Sequence, residues 1–148
     1  MGTHYQGTTK QERALDVYIK LSRAADAVTT RINHHLKAAD LTISQFGVLE
    51  AIYHLGPLQP SQLAIKILKS GGNLTLVITN LVKRGLVERQ RREDDRRCIE
   101  IHLTEAGRTL INDLFPRHVD IVEREINVLS ATEQEQLAVL CRKLGLGA

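Results

Sequence analysis

The chain has 148 residues, 43% hydrophobic and 25% charged, shares near globular averages that exclude a wholly disordered or fibrous chain. The length suits one domain or one close two-part unit, with a core that needs no disulfide or metal staple. Twenty basic and 17 acidic side chains leave a net charge of +3, a small excess whose placement along the chain says more than its size.

Residues of about 9 to 39 read as one long helix, because Leu15, Tyr18, Leu21, Ala25, Val28, Ile32 and Leu36 recur every three or four positions. Thr8 or Thr9 is positioned to cap its start. Such a helix extends about 45 Å, long for so small a chain, and packs against more than its own core. Asp40 breaks the pattern. A second helix runs from Thr42 or Ser44 to about His54, with Phe46, Leu49, Ile52, Tyr53 and Leu55 apolar, and Gly56-Pro57 stops it. Pro60 and Ser61 open a short third helix with Leu63, Ala64, Ile67 and Leu68 inward.

Ser70-Gly71-Gly72-Asn73 reads as a turn, with Asn73, or Ser70 for an earlier start, capping a fourth helix that ends near Arg84. Leu74, Val77, Ile78, Leu81 and Val82 form its inward stripe, while Thr75, Leu76, Thr79, Asn80 and Lys83 fall on the other side. Gly85 is a left-handed C-terminal cap with Leu86 folding back as its apolar partner. A hairpin follows, from Leu86–Arg89 and Ile99–Leu103, with Gln90 to Arg97 as its charged tip. Thr104 caps a fifth helix bearing Leu110, Ile111, Leu114, Phe115, Ile121, Val122, Ile126 and Leu129, which Pro116 is expected to kink. Ser130-Ala131-Thr132-Glu133 is a capping box for a last helix with Leu137, Leu140, Cys141 and Leu144 inward.

Helix, helix, turn, helix, hairpin is the order of a winged helix-turn-helix, here flanked by long helices. The fold class is therefore mainly α with a small β-hairpin wing. Between Lys66 and Arg97 nine basic residues meet four acidic ones, a local +5 that leaves −2 for the rest of the chain. That distribution is the footprint of a polyanion binder; the plainer reading is a solvated charged loop. A helix fits the major groove, and Thr75, Thr79, Asn80 and Lys83 offer hydroxyls, an amide and an ammonium to base edges and phosphates. The helix start at Gly71, Gly72 and Asn73 adds backbone N–H groups and a positive dipole end. In the hairpin tip Arg91, Arg92, Arg96 and Arg97 are packed into seven residues with Glu93, Asp94 and Asp95 between them. Interleaved carboxylates can orient some arginines while others reach a narrow minor groove or paired phosphate oxygens.

These residues resemble the MarR family of transcription regulators over nearly the whole chain, from about Leu15 to Leu144. The most specific stretch reads Leu81, Lys83-Arg84-Gly85-Leu86-Val87, Arg89, Asp95-Arg96-Arg97 and Leu103-Thr104-Glu105-Ala106-Gly107. The resemblance implies that Arg97 enters the DNA minor groove and that Asp95 steadies it. It also implies that the helix from Asn73 to Arg84 recognises DNA and that Ser61 and Gln62 lie near the backbone. Residues 1–39 and 104–148 would form a helical dimerisation region and 40–103 the DNA-binding domain. The expected contacts are then Ser61, Gln62, Ser70, Gly72, Asn73, Thr75, Leu76, Thr79, Asn80, Lys83, Arg91, Arg92, Asp95, Arg96 and Arg97. The partners are a second copy and double-stranded DNA carrying a pseudo-palindromic operator, since two-fold symmetry doubles the contacts.

The resemblance further implies a ligand pocket, with Tyr18, Arg23, His34, Phe46, Tyr53, His54 and His118 as its expected lining, though Phe46 and Tyr53 also read as ordinary core. The Ser70–Asn73 turn and Phe115-Pro116-Arg117-His118 resemble a branch with repressors answering quinones and related aromatics. Cys98, beside Arg96 and Arg97, could have a lowered pKa; Cys141 reads as a buried small hydrophobe. His34 and His35, adjacent on a helix, point about 100° apart, poor for shared chelation, so neither metal nor cofactor is expected. No Ser-His-Asp context or phosphate-cradling glycine motif marks an enzyme. Apolar runs of a few residues fall short of the about 20 needed to span a membrane. The polar start and two unframed cysteines point to the cytoplasm. The function expected is thus a dimeric DNA-binding regulator, a repressor relieved by a small, aromatic or quinone-like effector. The rival is a winged-helix interaction module docking an acidic partner.

Overall fold

The structure, a computed structural model, describes residues 2–67 and 71–147. Its elements are α1 (Thr9–Asn33), a 3-10 turn (His34–Ala39), α2 (Ile43–Leu55), α3 (Pro60–Ile67), α4 (Gly71–Lys83), β1 (Val87–Arg91), β2 (Ile99–Leu103), α5 (Glu105–Ile126) and α6 (Ala131–Leu146). None of the described helices is long and apolar enough to cross a membrane. The chain divides by its packing into two compact units, one of Met1–His34 with Asp120–Ala148 and one of His35–Val119. The second is wider than the 40–103 span expected for the DNA-binding part.

In the unit His35–Val119, the inward sides of α2, α3 and α4 meet the hairpin. Leu36, Val48, Leu49, Leu63, Leu74, Leu81, Ile101 and Ile111 are sealed from water. The hairpin is antiparallel and pairs Val87 with Leu103 and Arg91 with Ile99. Leu58 adds one bridge to it, exchanging backbone hydrogen bonds with Ile101 at 3.3 and 2.8 Å. Thr42 and Gln45 close a reciprocal capping box at the start of α2, which satisfies two donors that the first turn leaves over.

The α4–β1 corner is a compact stop signal. Gly85 sits at φ +70, the left-handed region that glycine enters without a Cβ clash. Its N–H bonds Val82 O at 2.9 Å, and the Leu86 N–H reaches Leu81 O at 3.0 Å, the paired bonds of a Schellman ending. Thr104 then stitches α5 to this corner. Its hydroxyl donates to Gly85 O at 2.6 Å and accepts from Gly107 N at 3.0 Å, while its own N–H reaches Leu86 O at 3.1 Å.

In the other unit, Thr8 caps α1 and Ser130 caps α6, each through a complete capping box. Arg31 Nε pairs with Glu125 at 2.7 Å. Among the described residues, every buried hydrophobic side chain except Ile32 lies in the His35–Val119 unit.

Several expectations need correction. The first helix ends at Asn33, not near 39: the chain tightens into the 3-10 turn and leaves it at Asp40, whose φ of 54 no helix continues. Arg84 holds this exit by donating to the carbonyls of Ala39 and Asp40. Gly71–Asn73 belongs to α4 instead of a turn, since glycine is tolerated in a first turn where N–H groups lack helical partners anyway. Ser70 and Leu68 lie outside the described residues. Gln90 and Arg91 are strand, paired with Glu100 and Ile99; cross-strand hydrogen bonding extends the ladder into polar and charged residues. Leu55, from the second helix's apolar set, is 56% exposed. Helix α5 contains Pro116, as expected, but ends at Ile126, short of Leu129. Leu137, Leu140, Cys141 and Leu144, expected inward on α6, are all exposed, because no described neighbour covers that stripe.

Candidate nucleic-acid interface

Three elements of the His35–Val119 unit carry the residues expected to meet DNA. On α3, Ser61 and Gln62 are exposed in the first turn. The Gln62 side-chain oxygen accepts from Gln59 N at 2.9 Å, which caps the start of α3 while the side chain stays exposed. On α4, Leu74, Ile78 and Leu81 are buried, whereas Asn73, Thr75, Leu76 and Lys83 are exposed and Thr79 and Asn80 half-buried. A 3.6-residue repeat thereby divides the helix into a core side and an outer side. Gly72 lies in the first turn of the same helix. Thr79 Oγ1 accepts from Arg89 Nη2 at 3.0 Å, a contact the sequence did not reveal, which links the outer side of α4 to β1.

The hairpin tip is ordered by its own charges. Arg92 N donates to Cys98 O and Cys98 N to Asp95 O, both at 3.0 Å. Arg91 Nη1 bonds Arg96 O at 2.8 Å, so one arginine holds the loop that presents the others. Arg92 Nε reaches Asp94 Oδ1 at 2.9 Å. Asp95 Oδ1 accepts both the backbone N–H and Nε of Arg97 at 3.1 Å, and Oδ2 takes Arg97 Nη2 at 3.5 Å. The Arg97 side chain is nevertheless 92% exposed. Two of its five N–H donors face Asp95, leaving three for an incoming acceptor. The Arg96 side chain is also exposed.

These pairs fix the charge states. The hydrogen bond from the Arg97 side chain, then that from its backbone N–H, holds the Asp95 carboxyl below the usual carboxylate range. The Arg92 hydrogen bond does the same for Asp94, which in turn raises the Arg92 guanidinium. Cys98 goes the other way from the expectation: partial burial, then the charge of Asp95, pushes its thiol up. The carboxylate that orients Arg97 outweighs the nearby arginines, and Cys98 Sγ lies 3.6 Å from Asp95 Oδ2.

Of the residues expected to line a ligand pocket, Tyr18, Arg23 and His34 are exposed and belong to the unit without a core. The other four come together in the His35–Val119 unit. Phe46 and His118 have ring centroids 4.6 Å apart, His54 and Phe115 4.5 Å, and Tyr53 and His54 5.0 Å. Phe46 is core, 3% exposed, and Tyr53 donates its hydroxyl to Asn112 Oδ1. The sequence reading missed His35 here. Its Nε2 lies 3.0 Å from His118 Nδ1, and its ring stands edge-on to Phe46. The two are 83 residues apart, so no local spacing could signal the pair. Among the described residues no three His, Cys, Asp or Glu side chains gather as a metal set.

The MarR family model matches residues 41–99, which run from the end of the 3-10 turn into β2. The HTH-type transcriptional regulator MhqR of Bacillus subtilis (strain 168) is 35% identical over 93% of this chain and 94% of its own length. The crystal structure of AbsC, a MarR family transcriptional regulator from Streptomyces coelicolor, shares the fold with a TM-score of 0.85 at 22% identity, covering 97% of each chain. A mutant MarR from E. coli complexed with operator DNA matches with a TM-score of 0.72 at 28% identity, over 86% of this chain and 94% of that one. The arrangement of α3, α4 and an arginine-tipped hairpin, and these likenesses along nearly the full length, place the chain in the MarR family of transcription regulators.

Proposed function

We propose that the protein is a dimeric, sequence-specific DNA-binding transcription regulator of the cytoplasm, a repressor that a small aromatic or quinone-like effector releases from its operator. The observation that carries the reading is Arg97, almost wholly exposed yet aimed by Asp95 at the tip of the hairpin. A surface arginine held in one rotamer loses little entropy on binding, which suits insertion into a minor groove while α4 lies in the adjoining major groove. The exposed outer side of α4 and the cationic tip would supply base contacts and phosphate contacts respectively.

Two copies follow from the same physics. One recognition helix reads only a few base pairs, and a two-fold pair reads a pseudo-palindrome. The exposed apolar side chains of α1 and α6 offer a surface for the second copy. An effector acts only by binding one spacing of the two recognition helices better than the other. The rings of Tyr53, His54, Phe115 and His118, joined to the buried Phe46 through His118, offer stacking partners for a planar aromatic molecule.

Fluorescence anisotropy with a genomic operator fragment tests the reading. Arg97→Ala is expected to weaken binding at least about tenfold, with the dimer intact and the thermal midpoint little changed, because the side chain is 92% exposed and its ion pair with Asp95 lies at the surface. Unchanged affinity would remove the hairpin from the interface. The rival, an interaction module docking an acidic partner through the same basic strip, predicts no binding to any duplex even at low salt, where phosphate attraction is strongest.

A further inference from the structure

Helix α4 carries one side chain at odds with its surroundings. Leu76 is 62% exposed, while Leu74 and Ile78 on the same helix are 1% and 2% exposed. It stands on the outer stripe with Gly72, Thr79, Asn80 and Lys83, at spacings of three and four. Helical side chains lean toward the N-terminus and cover the preceding turn. The residue one turn before Leu76 is Gly72, which has no side chain to overlie, so a wall of DNA could approach Leu76 closely.

The rest of the outer stripe narrows what it can read. The described length of α4 contains neither arginine nor glutamine, and its one cation, Lys83, is in the last turn. The commonest guanine contact, a bidentate Arg or Lys to O6 and N7, therefore has no donor in the middle of the helix. Arg89, held by Thr79, stands on β1 and not on the helix. Between the hydroxyls of Thr75 and Thr79, the middle turn presents one exposed hydrocarbon side chain, Leu76. In the major groove only one base edge presents a matching group, the C5-methyl of thymine.

Resting on the DNA-binding reading, we propose that Leu76 is the specificity-determining side chain of α4 and selects thymine, packing on its C5-methyl group so that each half-site carries a T·A pair beneath the second turn of the helix. Leucine gives no hydrogen bond, so the selection acts through excluded water and shape. It favours T·A over A·T because the methyl occupies one side of the groove only.

The test uses the full chain. A preferred duplex is first selected from random DNA with the wild-type protein, and each thymine is then replaced singly by uracil, which removes the methyl and nothing else. At one position per half-site, uracil is expected to weaken binding about fourfold, the worth of one buried methyl, and about fifteenfold when both half-sites are changed. Leu76→Ala should bind the thymine duplex correspondingly more weakly and lose all discrimination against uracil, while Leu76→Met keeps it. Unchanged thermal midpoints of both variants show that the fold is intact, as the exposure of Leu76 requires. If uracil is tolerated everywhere, or its penalty persists in Leu76→Ala, the inference is overturned while salt-dependent binding to the duplex leaves the DNA-binding reading standing. If the wild type selects no duplex, both fall.

Discussion

Gly107 shows how little room a single residue has at the α4–α5 corner. A Cβ built there would stand 2.0 Å from Leu86 O and 3.3 Å from Leu103 Cδ2. The backbone atom cannot yield, because Leu86 O already accepts from Thr104 N and the Leu86 N–H ends α4. Gly107→Ala is expected to destabilise the protein by about 2–3 kcal/mol, the usual scale of overpacking, read as a lower urea midpoint with an unchanged slope. An unaltered midpoint would mean that the corner relaxes freely. The spacing of Gly85-Leu86-Val87 and Leu103-Thr104-Glu105-Ala106-Gly107 was plain in the sequence, but its reason was not. Cap, glycine and carbonyl meet only after the hairpin from Val87 to Leu103 has folded back. Asp95 and Arg97 were singled out by the family pattern, and their pairing is local, two residues apart. The Arg89–Thr79 bond and the His35–His118 pair were hidden by their separation along the chain.

At the scale of elements, local patterns told most where local forces decide. The capping box at Ser130 and the stop at Gly85 depend on three or four neighbours, and so does the box at Thr42, which the sequence offered only as one of two possible helix starts. The true length of β1 depends on pairing across space, and that boundary moved; the start of α4 moved because Gly71 and Gly72 read as a turn but are helical. The 3-10 turn after α1 and helix α5 are joined by a device of the second kind. His35 Nε2 and His118 Nδ1 share one hydrogen bond, so one nitrogen carries the proton and the other accepts it. His35 Nδ1 is buried without a hydrogen-bond partner among the described residues, and a proton placed there would find no acceptor. Burial, then the Arg117 charge, lowers the His35 pKa; burial, then His35, lowers that of His118. Phe46 and Phe115, the other rings at this contact, carry no charge to oppose the shift. Both histidines are thus more easily protonated in the unfolded chain than in the folded one. Their contribution to stability is present above the ordinary histidine value of about 6.5 and is lost as pH falls from there through the lowered folded values. The thermal midpoint should drop between pH 7 and 5, and His35→Phe with His118→Phe should flatten that dependence. An equal slope in the double variant would assign the loss to other groups.

For the whole molecule, the distribution of apolar burial is the decisive quantity. Nearly all the core lies between Leu36 and Leu114. Helix α6 has 16 residues and buries none, and it exposes Leu137, Val139, Leu140, Leu144 and Leu146. Helix α1 exposes Leu15, Val17, Tyr18 and Leu21. Scattered apolar residues on a surface are ordinary, but rows at helical spacing on two long helices are an interaction surface. The sequence reading took the α6 row as inward because periodicity reports that a face is apolar and not which molecule covers it. If a second copy covers these rows, a charge at Leu140 must lose water on association with nothing to pair it. Leu140→Glu is therefore expected to shift the sedimenting species from dimer to monomer at micromolar concentration. The side chain is 61% exposed in the single chain, so the fold of each subunit, followed by circular dichroism, should persist. DNA binding gives a second readout. A monomer neutralises about half as many phosphates, so the slope of log affinity against log salt should fall to about half its wild-type value. Specific binding should weaken by orders of magnitude as the two half-sites are read separately. A variant that still sediments as a dimer and keeps the full salt slope would place the subunit contact elsewhere and leave the exposed row on α6 without a role in assembly.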